Sequence, residues 1–233
     1  MFKKYLFALI ENSYTQNSEN IVNMLERQAD AKILDLGCDD GAGVGVLANK
    51  IGTKNMYGIE IVEERAEIAR KAGVRVYNED LNKTLSLDND FFDVVYSNQV
   101  IEHLYDTDSF ISEIYRILKP NGYAIISTEN LASWHNIFAL LFGFQPFSMS
   151  NYSAKGNIGN PFALWDGSNA QSLNPTSWQH NRLFSYYALK DIFKKYGFQI
   201  EKIQTSGYYP LWGKLSRLDP IHGHWIAVKI RKI

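Results

Sequence analysis

Residues 33–36, Ile-Leu-Asp-Leu, run straight into a loop that carries Gly37, Gly41, Gly43 and Gly45. No other stretch restricts the possible folds as much. A short apolar run with one acid inside it reads as a buried strand of a parallel sheet. Val44, Leu47 and Ala48 then start a helical period. Strand, glycine turn and helix in that order present backbone N–H groups at a helix N-terminus to a ligand. Gly37 and Gly41 have no Cβ, so the chain can bend sharply there and approach a ligand closely.

The acids in this turn separate two ligand classes. A dinucleotide fingerprint places glycines as G-x-G-x-x-G and leaves the turn uncharged. Here the pattern is Asp35-x-Gly37-x-x-x-Gly41, with Asp39 and Asp40 in the turn. Two carboxylates repel a pyrophosphate and favour a cationic amino-acid ligand. Asp39 stands where a glycine would be usual, and Asp tolerates left-handed backbone better than most residues.

The balance of the chain narrows the classes further. Its 233 residues are 45% hydrophobic and 21% charged, which suits one globular domain over residues 1–233. A net charge of −1 gives no broad nucleic-acid footprint. Cys38 is the only cysteine, which excludes an internal disulfide and a cysteine-based zinc site; a reducing cytoplasm fits. The apolar run Tyr5 to Ile10 is short for a signal peptide, so an amphipathic helix lying on the domain is expected. The run Ile137 to Phe144 is too short to span a bilayer.

Periodicity places the remaining elements. A helix is expected over 18–29 with Ser18 as N-cap, then strands at 32–36, 56–60, 74–77 and 91–97. Phe110, Ile111, Ile114, Ile117 and Leu118 make the buried stripe of a helix over 107–118. Leu118-Lys119-Pro120-Asn121-Gly122 is a turn signal, and a fifth strand follows over 123–128. Helix 186–196 ends at Gly197, a sixth strand covers 198–204, and 225–230 alternates as a seventh. Between strand five and the next helix, residues 131–180 hold two charged residues, Lys155 and Asp166, and nine aromatics, among them Trp134, Tyr152, Phe162, Trp165 and Trp178. Such a segment is too aromatic for a disordered linker. A cap over an apolar or sugar-like acceptor and a purely structural subdomain both fit it.

Asp35-Leu36-Gly37-Cys38-Asp39-Asp40-Gly41 resembles motif I of the class I S-adenosylmethionine (SAM) methyltransferases. Ser97-x-x-Val100-Ile101-Glu102-His103-Leu104, Arg116-Ile117-Leu118-Lys119-Pro120-x-Gly122-Tyr123 and His180-x-Arg182-x-Phe184-Ser185 resemble later signatures of the small-molecule branch of that family, in the same order. The resemblance implies an α/β, Rossmann-like, doubly wound sheet of seven strands in the order 3-2-1-4-5-7-6, with strand seven antiparallel and the aromatic insert after strand five. It implies SAM as cofactor and S-adenosylhomocysteine as product. It assigns cofactor contacts to Asp35, Gly37, Cys38, Asp39, Gly41, Glu60, Ile61, Asp80, Leu81, Asn98 and Gln99. Glu60 stands at the tip of the second strand, where a carboxylate can accept both ribose hydroxyls. Asp80 matches the acid that accepts from the adenine amino group, and Leu81 the residue whose backbone meets the ring.

The chemistry follows from the same comparison. A methyl-transfer enzyme must align nucleophile and methyl carbon, and remove a proton from a hydroxyl acceptor. His103 is the leading base candidate, since it follows the fourth strand at the crevice; His180 and His135 are weaker alternatives, and His222 and His224 are expected to be solvated. Some relatives hold a divalent ion with Glu-x-x-Glu-His and a distant histidine. Here Gln99 replaces the first glutamate of that pattern, and no metal is expected. The expectation is thus a cytoplasmic SAM-dependent methyltransferase acting on oxygen of a small-molecule, lipid-linked or glycan-linked acceptor, with no nucleic-acid partner and no transmembrane segment. The alternative is a SAM-binding partner or sensor protein without catalysis.

Overall fold

The structure is a computed structural model that describes residues 2–151, 153, 156–163, 179–211 and 213–233. Tyr152, Lys155, Trp165, Asp166 and Trp178 of the aromatic insert lie outside the described residues. The elements are α1 (Phe2–Val22), β1 (Lys32–Leu36), α2 (Ala42–Ile51), β2 (Asn55–Ile59), α3 (Glu63–Lys71), β3 (Arg75–Tyr77), β4 (Phe92–Asn98), α4 (Thr107–Ile117), β5 (Leu118–Glu129), α5 (Trp134–Leu141), α6 (Tyr186–Lys195), β6 (Phe198–Ser206) and β7 (Trp225–Lys232). Seven strands form one sheet in the order β3-β2-β1-β4-β5-β7-β6. β1 to β5 run parallel, and β7 is antiparallel to both β5 and β6. This is the expected doubly wound order.

Successive strand residues point to opposite faces. Ile33, Val94 and Ile125 therefore pack with Val44, Leu47 and Ile51 of α2 and Ile21 of α1 on one side. Leu34, Leu36, Val95 and Ile126 pack with Phe110 and Ile114 of α4 and Leu189 and Phe193 of α6 on the other. Burying each of these side chains stabilises the fold by about 1.5–3 kcal/mol. The stripe of α4 is legible because Phe110, Ile111, Ile114 and Ile117 recur at helical spacing and all become buried. Asp106 caps that helix by accepting from the Ser109 N–H at 2.9 Å.

Several boundaries differ from the sequence pattern, each for a physical reason. The two expected N-terminal helices are one helix, α1, and Ser18 lies inside it rather than at its cap. β5 begins at Leu118, which pairs with Phe92, so the Lys-Pro-Asn-Gly turn becomes an irregular start to the strand. The turn persists only as a left-handed Asn121 (φ +66°) and a register shift between Phe92 and Val94. β7 does not alternate: Trp225 to Ile230 are all buried, because strands flank β7 on both sides and helices cover both faces. Among the described residues no helix is long and apolar enough to cross a membrane.

Candidate functional site

The glycine loop follows β1 at the carboxyl ends of the parallel strands, where an open α/β sheet leaves its crevice. Gly37 sits at φ +85°, and a Cβ there would lie 2.7 Å from Val100 Cγ2. Gly41, at φ +82°, opens α2; a Cβ would meet Val74 Cγ2 at 2.9 Å and the Ala69 backbone at 3.2 Å. Asp39 itself is left-handed (φ +48°), as its position in the turn requires. The N–H groups of Gly37 and Cys38 donate to the Ile59 carbonyl at 2.9 and 3.0 Å, which ties the loop to the end of β2.

The acids of this crevice are in different states. Asp35 is buried; burial first, then the Glu60 and Asp39 carboxylates, raise its carboxyl well above the ordinary range. Glu60 follows β2 directly and accepts from the backbone N–H groups of Asp39 (3.0 Å) and Val62 (2.9 Å). Asp39 turns to Arg65, whose Nη2 donates to it at 2.7 Å, so its charge is compensated at the surface. Asp40 accepts from the Ala42 N–H at 3.0 Å, at the N-terminus of α2.

The other expected cofactor residues lie at or just beyond the carboxyl ends of β2, β3 and β4. Asp80 holds an Asx turn, accepting from the backbone and side-chain nitrogens of Asn82 at 2.9 and 3.0 Å. Ile61 is exposed, and Leu81 is packed against the core. Asn98 ends β4 and accepts from Asn17 Nδ2 of α1, which also donates to Ser127 at 2.9 Å. Gln99 is left-handed (φ +58°). Among the described residues Gln99 Nε2 and Asn17 Oδ1 are buried without hydrogen-bond partners. Buried orphan groups of this kind are uncommon and mark places where a ligand completes the network.

A cavity of about 770 Å³ lies at the end of β5. Its walls come from distant parts of the chain: Ile10 and Tyr14 of α1, Glu129 of β5, His135 and Phe138 of α5, Phe147 and His180 of the insert, Tyr209, and His224 and Trp225 at the start of β7. Glu129 is the acid in it. It ends β5 opposite Trp225, and the Asn130 N–H donates to the His224 carbonyl at 2.7 Å, so β5 and β7 bring acid and imidazole together. His224 Nε2 lies 3.8 Å from Glu129 Oε1, and His180 Nδ1 lies 3.9 Å from Oε2. Burial alone would raise the Glu129 carboxyl; the imidazoles of His224 and His180, with the Ser148 hydroxyl beside it, outweigh it and hold the group down at about 2. Sequence reading missed Glu129, although it is a strand-tip acid by the same logic that singled out Glu60. The expected solvation of His224 is also corrected: it is buried, stacked on Trp225 with ring centroids 4.1 Å apart. His222 is half-buried and paired with Asp219 at 2.8 Å.

The base candidates separate by position. His180 lines the cavity, and its Nδ1 donates to the Ser148 carbonyl at 2.6 Å, which leaves the lone pair on Nε2. Asn136, fully buried, fixes Ser148 through its Oγ at 3.0 Å. His135 lines the cavity too, but burial and then His224 drop its imidazole well below the ordinary value. His103 is not among the lining residues. Its Nδ1 donates to the Gln179 carbonyl at 3.0 Å, and its ring stands edge-on to His180. Burial, then His180, lowers His103 to about 4. Neighbouring Glu102 accepts from Thr128 Oγ1 at 2.8 Å, and burial lifts its carboxyl to about 7. Glu102 and His103 also accept through their carbonyls from Asn181 at 2.7 Å each, so this short turn grips the strand of chain returning from the insert. Ligating atoms of Glu102, His103 and His180 come within 4.8 Å of one another, close enough to hold a cation.

Comparison with known proteins agrees with this geometry. The model of the methyltransferase-domain family matches residues 8–203. A probable S-adenosylmethionine-dependent methyltransferase of Mycolicibacterium smegmatis is 32% identical over 126 residues, covering 53% of this chain and 48% of that protein. A ubiquinone biosynthesis O-methyltransferase of Rickettsia prowazekii is 32% identical over 163 residues, covering 64% of this chain and 58% of that protein. The chain spans about half the length of these two curated relatives. A crystal structure of an S-adenosylmethionine-dependent methyltransferase from Mesorhizobium loti superposes with a TM-score of 0.61 at 20% identity, covering 92% of this chain and 96% of that one, and so shares the fold. A family match across most of its length, joined to this sheet order, means that the chain belongs to the methyltransferase-domain family, whose cofactor is S-adenosylmethionine.

Proposed function

We propose that this protein transfers a methyl group from SAM to the oxygen of a small acceptor with an apolar body. The cavity carries this reading: about 770 Å³ of largely apolar wall at the end of β5, where the buried carboxylate of Glu129 is flanked by the imidazoles of His180 and His224. A space of this size and lining is typical of a site for a small ligand. It favours an aromatic or lipid-like acceptor over a glycan, which would need more hydrogen-bonding groups than these walls supply.

The crevice fits the cofactor. Glycine at 37 and 41 permits the left-handed turns that bend the loop at the end of β1, where a Cβ would strike Val100 or Val74, and buried Asp35 gains from a cationic amino group. Glu60 has lone pairs left for ribose hydroxyls after its two backbone contacts. Ile61 and Leu81 offer apolar surface to a base, and Asp80 an acceptor to its amino group. Cys38 and Asp39 line the turn, and Asn98 and Gln99 close the crevice towards the acceptor side. When bound, the cofactor supplies an electrophilic methyl carbon on a sulfonium. The chain's own residues bind it, exclude water and orient the acceptor oxygen.

Support for an oxygen acceptor comes from the Rickettsia relative, named for O-methylation. The insert contributes Phe147, Ser148 and His180 to the wall, in keeping with a cap over the acceptor. In this reading His103 is a positioning residue that holds the returning chain through Gln179. The test is a screen of hydroxylated aromatic and lipid-like acceptors with methyl-labelled SAM. Label appearing in an ether product supports the proposal. SAM binding with no transfer to any acceptor indicates a sensor instead.

A further inference from the structure

The carboxylate of Glu129 is buried beside His224, His180 and the Ser148 hydroxyl. Its Oε2 has no hydrogen-bond partner among the described residues. The flanking imidazole nitrogens stand at 3.8 and 3.9 Å, beyond the 2.7–3.2 Å of a direct bond. His180 Nδ1 is already committed to the Ser148 carbonyl at 2.6 Å. A buried charge left this way is costly until a further donor completes it. No lysine or arginine is among the described residues that line the cavity. Among the described residues the cavity therefore holds a fixed negative charge and no cation to receive a second one.

We propose that Glu129 is a catalytic residue that selects a neutral hydroxyl as the acceptor, taking its O–H hydrogen at Oε1 in the gap that faces His224 Nε2, and that it excludes carboxylate acceptors. A hydroxyl suits this gap because it both donates and accepts. It donates to Glu129 Oε1 and accepts from His224 Nε2, whose hydrogen is assigned by its facing the carboxylate. A carboxylate has no hydrogen to give and meets a like charge among apolar walls. This inference rests on the methyltransferase reading and deepens it.

The step balances as follows. A lone pair of the acceptor oxygen forms the new O–C bond, and the electron pair of the C–S bond stays on sulfur, which becomes a neutral thioether. The oxygen, now a protonated ether, releases its proton to Glu129 Oε1, keeping the O–H electron pair. Glu129 becomes a neutral carboxylic acid and later returns the proton to water. A weakly basic carboxylate is sufficient, because a protonated ether is a far stronger acid than any carboxylic acid.

Calorimetry on the full chain with S-adenosylhomocysteine bound tests this, using para-butylphenol and para-butylbenzoate as probes near neutral pH. The phenol is expected to bind at least about tenfold tighter than the benzoate. In Glu129→Gln the preference for phenol over benzoate should fall to about twofold or less. Benzoate binding as tightly as the phenol to the wild type overturns the proposal, as does phenol that fails to bind. So does a phenol-to-benzoate ratio unchanged in Glu129→Gln. The wild-type comparison stands even where that variant folds poorly. Failure of S-adenosylhomocysteine to bind in the same cell would count against the methyltransferase reading instead.

Discussion

Glu60 reaches from the end of β2 across to the glycine loop and accepts the backbone N–H of Asp39 at 3.0 Å, while its other oxygen accepts from Val62 at 2.9 Å. One side chain thus holds the loop that follows β1, and in the proposed function its remaining lone pairs meet the ribose hydroxyls. Each charge-assisted bond of this kind is worth about 1.5–3 kcal/mol. Glu60→Ala should therefore weaken S-adenosylhomocysteine binding by at least about tenfold, with Glu60→Gln retaining part of the affinity. Titration calorimetry checks this; unchanged affinity would place the ribose elsewhere.

Gly37→Ala combines two penalties. Alanine is strained at φ +85°, and its Cβ would collide with Val100. Stability should drop by at least about 1 kcal/mol. Cofactor affinity should fall as the loop shifts. Thermal unfolding with and without S-adenosylhomocysteine reads both effects: the ligand raises the wild-type melting temperature and raises that of the variant less. NAD should leave both unmoved, and a NAD-induced rise would contradict the ligand assignment.

Glu102 links stability to pH. Burial raises its carboxyl from 4.5 to about 7 in the folded state. The folded protein holds the proton more tightly than the unfolded chain, so this contribution is complete below pH 4.5 and is lost as pH rises through about 7. His103 works oppositely: its value drops from 6.5 to about 4, so its contribution is present above 6.5 and lost as pH falls towards 4. The two windows overlap, and variants separate them. Relative to wild type, Glu102→Gln should gain stability as pH rises from 4.5 to 7, and His103→Asn should gain as pH falls from 6.5 to 4. Denaturant unfolding across that range is the measurement; parallel curves would refute the burial argument.

His103 and His180 should part company in their effects. His103→Ala loses the bond to the Gln179 carbonyl and leaves a void beside His180. It should cost about 1–3 kcal/mol of stability and leave S-adenosylhomocysteine affinity within about twofold. His180→Ala removes a cavity wall and should instead weaken binding of an acceptor probe such as para-butylphenol. A His103 variant of full stability but abolished turnover would restore His103 as the base.

Local pattern was enough to determine the parallel sheet, the glycine loop and the strand-tip acid Glu60. Each is written in neighbouring residues: Ile33 to Leu36 must be buried, Gly37 must be left-handed, and Glu60 must follow Ile59. The orientation of Asp39 was not legible, because its partner Arg65 comes from α3 and only folding brings the two together. Nor was the acceptor cavity. Tyr14, Glu129, His180 and His224 belong to α1, β5, the insert and the start of β7, and no period in the chain relates them. His103 looked reactive beside β4, yet burial and the Gln179 carbonyl set its state. Short-range geometry can be read from short-range sequence; charge state and convergence depend on what tertiary packing excludes from water.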